Sequence, residues 1–214
     1  VPFVGDFNAG KSSLINSMLG VDILPTNILP ETAVSYELYF SSNEKLEVWL
    51  DDKLVETAPI SQLKSLQLTP RNFVKLYLNN PIVKEWNDRN IVVVDMPGID
   101  SGVEAHNNAI LHYVQDGTFF VLVSEVEGGT LRLSTLSFIE EIKKYGAQLA
   151  IVVSKIDKKP EQEVLDVKAN VESVAKRLLG DSTMVVSASA VNKDFNGVLD
   201  ILSSIDAEEL IVNK

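Results

Sequence analysis

The chain has 214 residues, 45% of them hydrophobic and 23% charged, which suits one soluble-type domain, or one domain with embellishments. Nineteen Lys and Arg against 30 Asp and Glu leave a net charge of −11, a balance that repels phosphate backbones and anionic lipid and argues against nucleic-acid binding. There is no cysteine, so disulfides and thiolate-ligated metals are excluded, and no apolar run approaches the ~18–20 residues of a membrane-spanning helix.

The chain opens on an apolar stretch, Val1-Pro2-Phe3-Val4, that runs into Gly5-Asp6-Phe7-Asn8-Ala9-Gly10-Lys11-Ser12 and then into a helical stretch, Ser13 to Leu19. Strand, G-x-x-x-x-G-K-[ST] and helix in that order describe a phosphate-binding loop. The glycines let successive N–H groups of Asn8, Ala9, Gly10, Lys11, Ser12 and Ser13 turn toward an anion, and the helix N-terminus adds its positive end. Lys11 would bridge β- and γ-phosphates, and the Ser12 hydroxyl would hold Mg²⁺. The bland alternative is a Gly-containing turn capped by Ser12. Only four residues precede the loop, so the chain reads as a piece of a longer one, and the lack of a leader or anchor describes this piece alone.

Further along, strands are expected at residues 35–40, 45–50, 73–78, 91–95, 119–124, 149–154 and 184–187. Continuous apolar runs such as Ile91-Val92-Val93-Val94 and Ala150-Ile151-Val152-Val153 predict strands buried on both faces, hence a mostly parallel sheet with helices on each side. Helical stripes recur at Ile139, Ile142 and Tyr145, at Val164, Val167, Val171, Val174 and Leu178, and at Val198, Ile201, Leu202 and Ile205. The alternation predicts a doubly wound α/β domain over residues 1–214. Residues 36–86 differ: Asp51-Asp52 separates two extended segments, residues 59–66 suit a short helix, and Asn79-Asn80-Pro81 breaks the chain before a helical stretch at 82–86. This reads as a β-rich insertion. His106 and His112, the two histidines, read as ordinary side chains.

Four more motifs bear on chemistry. Asp95-Met96-Pro97-Gly98 ends a strand, where Asp95 could hold Mg²⁺ through a water and the Gly98 N–H could meet a γ-phosphate; a plain Pro-Gly turn is the alternative. Ser154-Lys155-Ile156-Asp157 resembles the guanine-reading [NT]-K-x-D, with Asp157 accepting from N1–H and N2–H₂ and the Lys155 stem lying along the base. Ser154 departs from that pattern. Such a polar site rejects adenine because its buried partners would be left unpaired. Ser187-Ala188-Ser189 resembles S-A-K, whose backbone N–H meets guanine O6, with Ser189 in place of Lys. Thr32 lies between loop and Asp95, where the first switch of a GTPase needs a hydroxyl on Mg²⁺, flanked by Pro25 and Pro30.

On these residues the chain resembles the translation-factor-like, P-loop GTPases over essentially its whole length. Phe7-Asn8-Ala9-Gly10-Lys11-Ser12-Ser13-Leu14-Ile15-Asn16, the Leu24 to Ala33 stretch, Asp95-Met96-Pro97-Gly98-Ile99, and a Thr32-to-Asp95 spacing longer than in Ras- or Era-type GTPases make it most similar to bacterial dynamin-like proteins and mitofusin relatives. The resemblance implies a GTP-hydrolysing head that uses Mg²⁺ and dimerises with itself or a paralogue across the nucleotide face. It implies a full-length protein that is cytoplasmic and reaches a membrane through stalk and tip regions beyond this segment. It also implies that Asn8 helps hold K⁺ or Na⁺, although Asn equally suits a turn conformation. Ile99 stands where Ras-like enzymes carry a water-orienting Gln. An Era- or MnmE-like GTPase, and a nucleotide-gated binding module with little hydrolysis, are the rival readings.

Overall fold

The computed structural model describes residues 1–26, 34–99, 113–114 and 119–207. Thr32, Pro30, His106 and His112 lie outside them. Nine strands form one sheet among the described residues: β1 (Pro2–Val4), β2 (Ser35–Phe40), β3 (Lys45–Leu50), β4 (Lys53–Ala58), β5 (Asn72–Leu78), β6 (Val94–Asp95), β7 (Phe119–Glu125), β8 (Gln148–Ser154) and β9 (Val185–Ser187). Their spatial order is β4-β3-β5-β2-β6-β1-β7-β8-β9. From β6 through β1, β7 and β8 to β9 every pairing is parallel. On the other side β2 turns antiparallel to β6, pairs in parallel with β5, and β3 runs antiparallel to both β4 and β5.

Helices α1 (Lys11–Leu19), α2 (Pro81–Asp88), α3 (Leu133–Lys143), α4 (Glu161–Leu179) and α5 (Asn196–Ser204) cover the sheet. Strand alternation decides which face each covers. Phe3, Val121, Val123, Ala150 and Val152 pack with Leu14 and Ile15 of α1, Val83 and Trp86 of α2, and Val198 and Ile201 of α5. Their neighbours Val4, Phe120, Leu122, Ile151 and Val153 face Ile139 and Ile142 of α3 and Val164, Val167 and Val171 of α4. The continuous apolar runs are therefore strands with two buried faces, as the sequence implied.

Two expectations need correcting. The strand expected at 91–95 is regular only at Val94 and Asp95, although Val93 O still accepts from the Leu38 N–H of β2 and Val92 O from the Val1 amino group. Tyr145 lies beyond the end of α3 and is 52% exposed, so it leaves the stripe that Ile139 and Ile142 form. The β-rich stretch expected within residues 36–86 forms strands that extend the central sheet on its β6 side. Local signals explain the rest of that region. Asp51 and Asp52 both take positive φ (47° and 62°), which suits the twist of a tight hairpin between β3 and β4. Asn80 caps α2, its Oδ1 accepting from the Ile82 and Val83 N–H groups, with Pro81 at the first turn. The Asn80 amide also donates to Leu19 O at 3.0 Å, joining α2 to the end of α1.

Candidate functional site

Parallel neighbours bring the carboxyl ends of β1, β6, β7 and β8 to one rim of the sheet, and the sequence motifs sit there. The turn after β1 requires glycine. Gly5 has φ +150°, and a Cβ on it would stand 2.1 Å from Val123 O. Asn8 (φ 64°) and Gly10 (φ 91°) are left-handed as well, and they curl the loop over the start of α1. For Asn8 this conformation is itself a reason for an Asn, and the side chain is exposed.

Inside the loop the buried Lys11 ammonium donates to Gly5 O (3.0 Å) and Asp6 O (2.9 Å). Next to it, Ser12 Oγ donates to Asp95 Oδ2 at 2.5 Å. The other carboxylate oxygen, Asp95 Oδ1, is buried with no hydrogen-bond partner among the described residues. Burial pushes the Asp95 carboxyl up to about 6, against the pull of the Ser12 hydrogen bond and the Lys11 charge. A hydroxyl and an unsatisfied carboxylate oxygen are hard oxygen donors, and they fit Mg²⁺. The turn carrying Asp95 lies against the loop: a Cβ on Gly98 would come within 2.8 Å of Phe7 N, and Ile99 N–H donates to Gly5 O at 3.1 Å. A cavity of about 440 Å³ opens here, lined by Asn8, Lys11, Ser12, Asp95, Gly98 and Lys155 among others.

A second hollow of about 180 Å³ adjoins it, sharing Gly10, Ser13 and Lys155, and is completed by Ser154, Asp157 and Ala188. Lys155 takes a left-handed φ of 58°, and its stem runs along the loop, Cε standing 3.5 Å from where a Cβ on Gly10 would be. Exposed Asp157 accepts from Ser189 Oγ at 2.5 Å, which joins two of the predicted motifs directly. The Ala188 N–H donates to Val153 O and the Ser189 N–H to Asp194 O, both at 2.8 Å, so those donors serve the scaffold here. Ser187 ends β9. Ser154 does not face the hollow as a ligand group: its hydroxyl donates to Ala9 O at 2.6 Å and approaches Ser124 O at 3.3 Å, bracing the phosphate loop from the end of β8. A short hydroxyl suffices because the loop lies that close to the end of β8.

Several site residues escaped the sequence reading. Asn16, buried in α1, accepts from Ile23 N–H and Leu24 N–H and donates to Leu24 O, holding the segment that leads to Pro25 and Thr26 on the cavity wall. An Asn on an apolar helix face was the available signal. Asp6 accepts from Ser134 Oγ (2.7 Å) at the start of α3, and Arg132 stands between Asp6 and Glu125. No spacing rule links those positions.

Comparison with known proteins agrees with this geometry. The model of the dynamin family matches residues 1–156. Among curated relatives, Dynamin-like protein A of Bacillus subtilis is 29% identical over 185 residues, covering 81% of this chain and 15% of its own length. Dynamin-like protein 2 of Campylobacter jejuni is 26% identical, covering 87% of this chain and 25% of that protein. The chain thus spans less than half the length of the curated relatives it matches. A solved structure of an oligomerised bacterial dynamin pair superposes with a TM-score of 0.68 at 20% identity, over 99% of this chain and 35% of that one. Era of Aquifex aeolicus, bound to GDP and AlF₄⁻, gives 0.54 at 18% identity, over 95% of this chain and 56% of that one, and so shares the P-loop GTPase fold with a poorer fit. A phosphate loop whose Ser12 meets Asp95 at the rim of the sheet, and a family match over residues 1–156, place this protein in the dynamin family, as a GTPase domain similar to those of bacterial dynamin-like proteins.

Proposed function

We propose that this domain binds GTP with Mg²⁺ and hydrolyses it to GDP and phosphate, as the head of a longer dynamin-like protein. One observation carries the reading: the Ser12–Asp95 pair, with Asp95 Oδ1 without a partner among the described residues, lies by a cavity that shares Gly10, Ser13 and Lys155 with the hollow beside Asp157. Triphosphate and purine then occupy adjoining spaces of suitable size and opposite chemistry.

The Lys11 ammonium donates to two of the loop's own carbonyls. A phosphate oxygen is a stronger, charged acceptor, so Lys11 exchanges those contacts for β- and γ-oxygens without a buried charge ever losing its partners. The N–H groups of Asn8, Ala9, Gly10, Lys11, Ser12 and Ser13 serve as the anion cradle, and the Gly98 N–H meets the γ-phosphate. Ser12, Asp95 and Thr32 would hold Mg²⁺, which when bound neutralises charge on the phosphates. At the other end Asp157 reads guanine, Lys155 lies along the base, and Ser154, Ser187, Ala188 and Ser189 shape the hollow. Ile99 cannot orient water, so stabilisation of the developing charge falls to Asn8, with K⁺ or Na⁺ as its partner. Hydrolysis is slow until two heads, of this chain or of a paralogue, meet across the nucleotide face. Membrane remodelling by the full-length, cytoplasmic protein would use regions outside this segment; among the described residues no helix is long and apolar enough to cross a membrane.

Calorimetry with Mg²⁺ tests the binding half: GTP should bind and ATP should not, and equal binding of both, or of neither, refutes it. Turnover measured in K⁺, Na⁺ and a large organic cation across protein concentrations tests the rest, with rates indifferent to both variables counting against Asn8 and dimerisation. The aliphatic Ile99 beside Gly98 favours one alternative, a nucleotide-gated module with little chemistry. Single-turnover hydrolysis separates the two readings.

A further inference from the structure

Asp6 of the phosphate-loop motif and Lys155 of the base-loop motif are joined through two side chains that belong to none of the motifs, Arg132 and Glu125. Arg132, the residue before α3, directs Nε to Asp6 Oδ2 at 3.5 Å and Nη2 to Glu125 Oε1 at 2.7 Å. The other oxygen of Glu125 accepts from Lys155 Nζ at 3.0 Å. Asp6 is anchored a second time by Ser134 Oγ at 2.7 Å, and its backbone carbonyl is one of the two that hold Lys11. Starting from Arg132, one branch ends on the lysine of the phosphate loop and the other on the lysine of the base loop.

We propose that Arg132 is a positioning residue that couples the phosphate and base halves of the nucleotide site, fixing Asp6 in one and, through Glu125, Lys155 in the other. This rests on the GTP-binding reading above and adds to it how the two halves are held in register. The geometry favours arginine specifically. Its guanidinium presents donors on separate edges of one rigid plane, so two carboxylates can be held at once, which a lysine ammonium does with less directional control. Electrostatics gives it a second task. Asp6 and Glu125 place two negative charges close to where a polyphosphate would bind, and Arg132 with Lys155 makes the group neutral. Burial grades along the chain: the Asp6 side chain is 7% exposed, Glu125 19%, Lys155 27% and Arg132 47%. Screening is therefore strongest at Arg132 and weakest at the loop it positions.

The test is a set of nucleotide affinities on the intact domain, using a fluorescent GTP analogue displaced by GTP, GDP and inosine triphosphate, which lacks the guanine 2-amino group. Arg132→Gln should weaken GTP binding by about three- to tenfold, the range expected for a partly exposed ionic network. Glu125→Gln should lower the preference for GTP over inosine triphosphate while sparing the GTP-to-GDP ratio, and Asp6→Asn should do the reverse. Arg132→Gln should move both ratios, Arg132→Lys should restore part of the loss, and adding Glu125→Gln to Arg132→Gln should cost little more. Additive losses, or an Arg132→Gln protein that melts earlier with both ratios unchanged, overturn the coupling. If Arg132→Gln does not fold, the Asp6→Asn and Glu125→Gln single and double variants decide the question by the same additivity. Wild-type protein that binds no guanine nucleotide defeats the functional reading itself, an outcome distinct from additive variants on a wild type that binds.

Discussion

Two buried carboxylates, one in the nucleotide site and one in the sheet extension, are treated in opposite ways. Glu47 of β3 accepts from Lys45, Tyr77 and Trp49, and although burial alone would raise its carboxyl, those hydrogen bonds hold it below the usual carboxylate range. Around it Tyr39 stacks on Tyr77, Trp49 stacks on Phe73, and Lys75 lies 4.6 Å over the Trp49 ring, so the polar-aromatic face of the extension is closed on itself. Asp95 is the more deeply buried of the two, keeps one oxygen without a partner among the described residues and sits high, at about 6. A scaffold satisfies its polar groups. A binding site holds one back for its ligand, at a cost to the stability of the empty protein.

The largest effect that would sharpen this contrast is at Lys11. Its ammonium contacts backbone carbonyls within the loop, so Lys11→Ala should cost about a hundredfold in GTP affinity with little change in the melting of the empty domain. A large drop in melting temperature would place Lys11 with the scaffold instead.

Next come the two carboxylates themselves. Glu47→Gln should destabilise by about 1–3 kcal/mol, because charged partners lose their acceptor. Asp95→Asn should stabilise the nucleotide-free protein at neutral pH while abolishing Mg²⁺-dependent binding. The pH dependences should have opposite sign as well. Asp95 is raised from 3.8 to about 6, so the folded state binds its proton more tightly. Its stabilising contribution is present below about pH 4 and is lost as pH rises through 6. Glu47 is lowered from 4.5, so its contribution holds above that value and is lost as pH falls below it. Denaturant titrations of wild type and both variants between pH 4 and 7 check this. If Asp95→Asn leaves the slope near pH 5–6 untouched, the contrast fails.

Gly98→Ala should cost about 1–3 kcal/mol and weaken GTP binding, since the new methyl would lie 2.8–2.9 Å from the Phe7 backbone. Urea unfolding and nucleotide titration would read the two together. The smallest effect belongs to the rim of the extension: Leu54 on β4 is 49% exposed, and Leu54→Thr should change stability by less than about 0.5 kcal/mol and GTP affinity not at all.

Much of this molecule was legible in its sequence. β2 and β3 fall at the expected residues, and Val164, Val167, Val171, Val198 and Ile201 face the core as their spacing implied. Lys11, Ser12 and Asp95 meet as their motifs required. What escaped was of another kind. Ser154 looked like a defective base-reading residue and proved to be a brace on Ala9, and the hydroxyl of Ser189 turned out to hold Asp157. Motif patterns record which residue type stands at a position, whereas a brace is defined by what lies opposite it.

By itself the sequence determined the α/β class, the turn at Gly5 and the faces of the helices, because each follows from backbone preference and burial period within a short window. The strand order alone decided that Asp6 after β1 and Glu125 at the end of β7 would meet Arg132, and that Lys155 after β8 would meet Glu125. Contacts between residues so far apart in the chain depend on which strands become neighbours and in what register, and no local pattern encodes that.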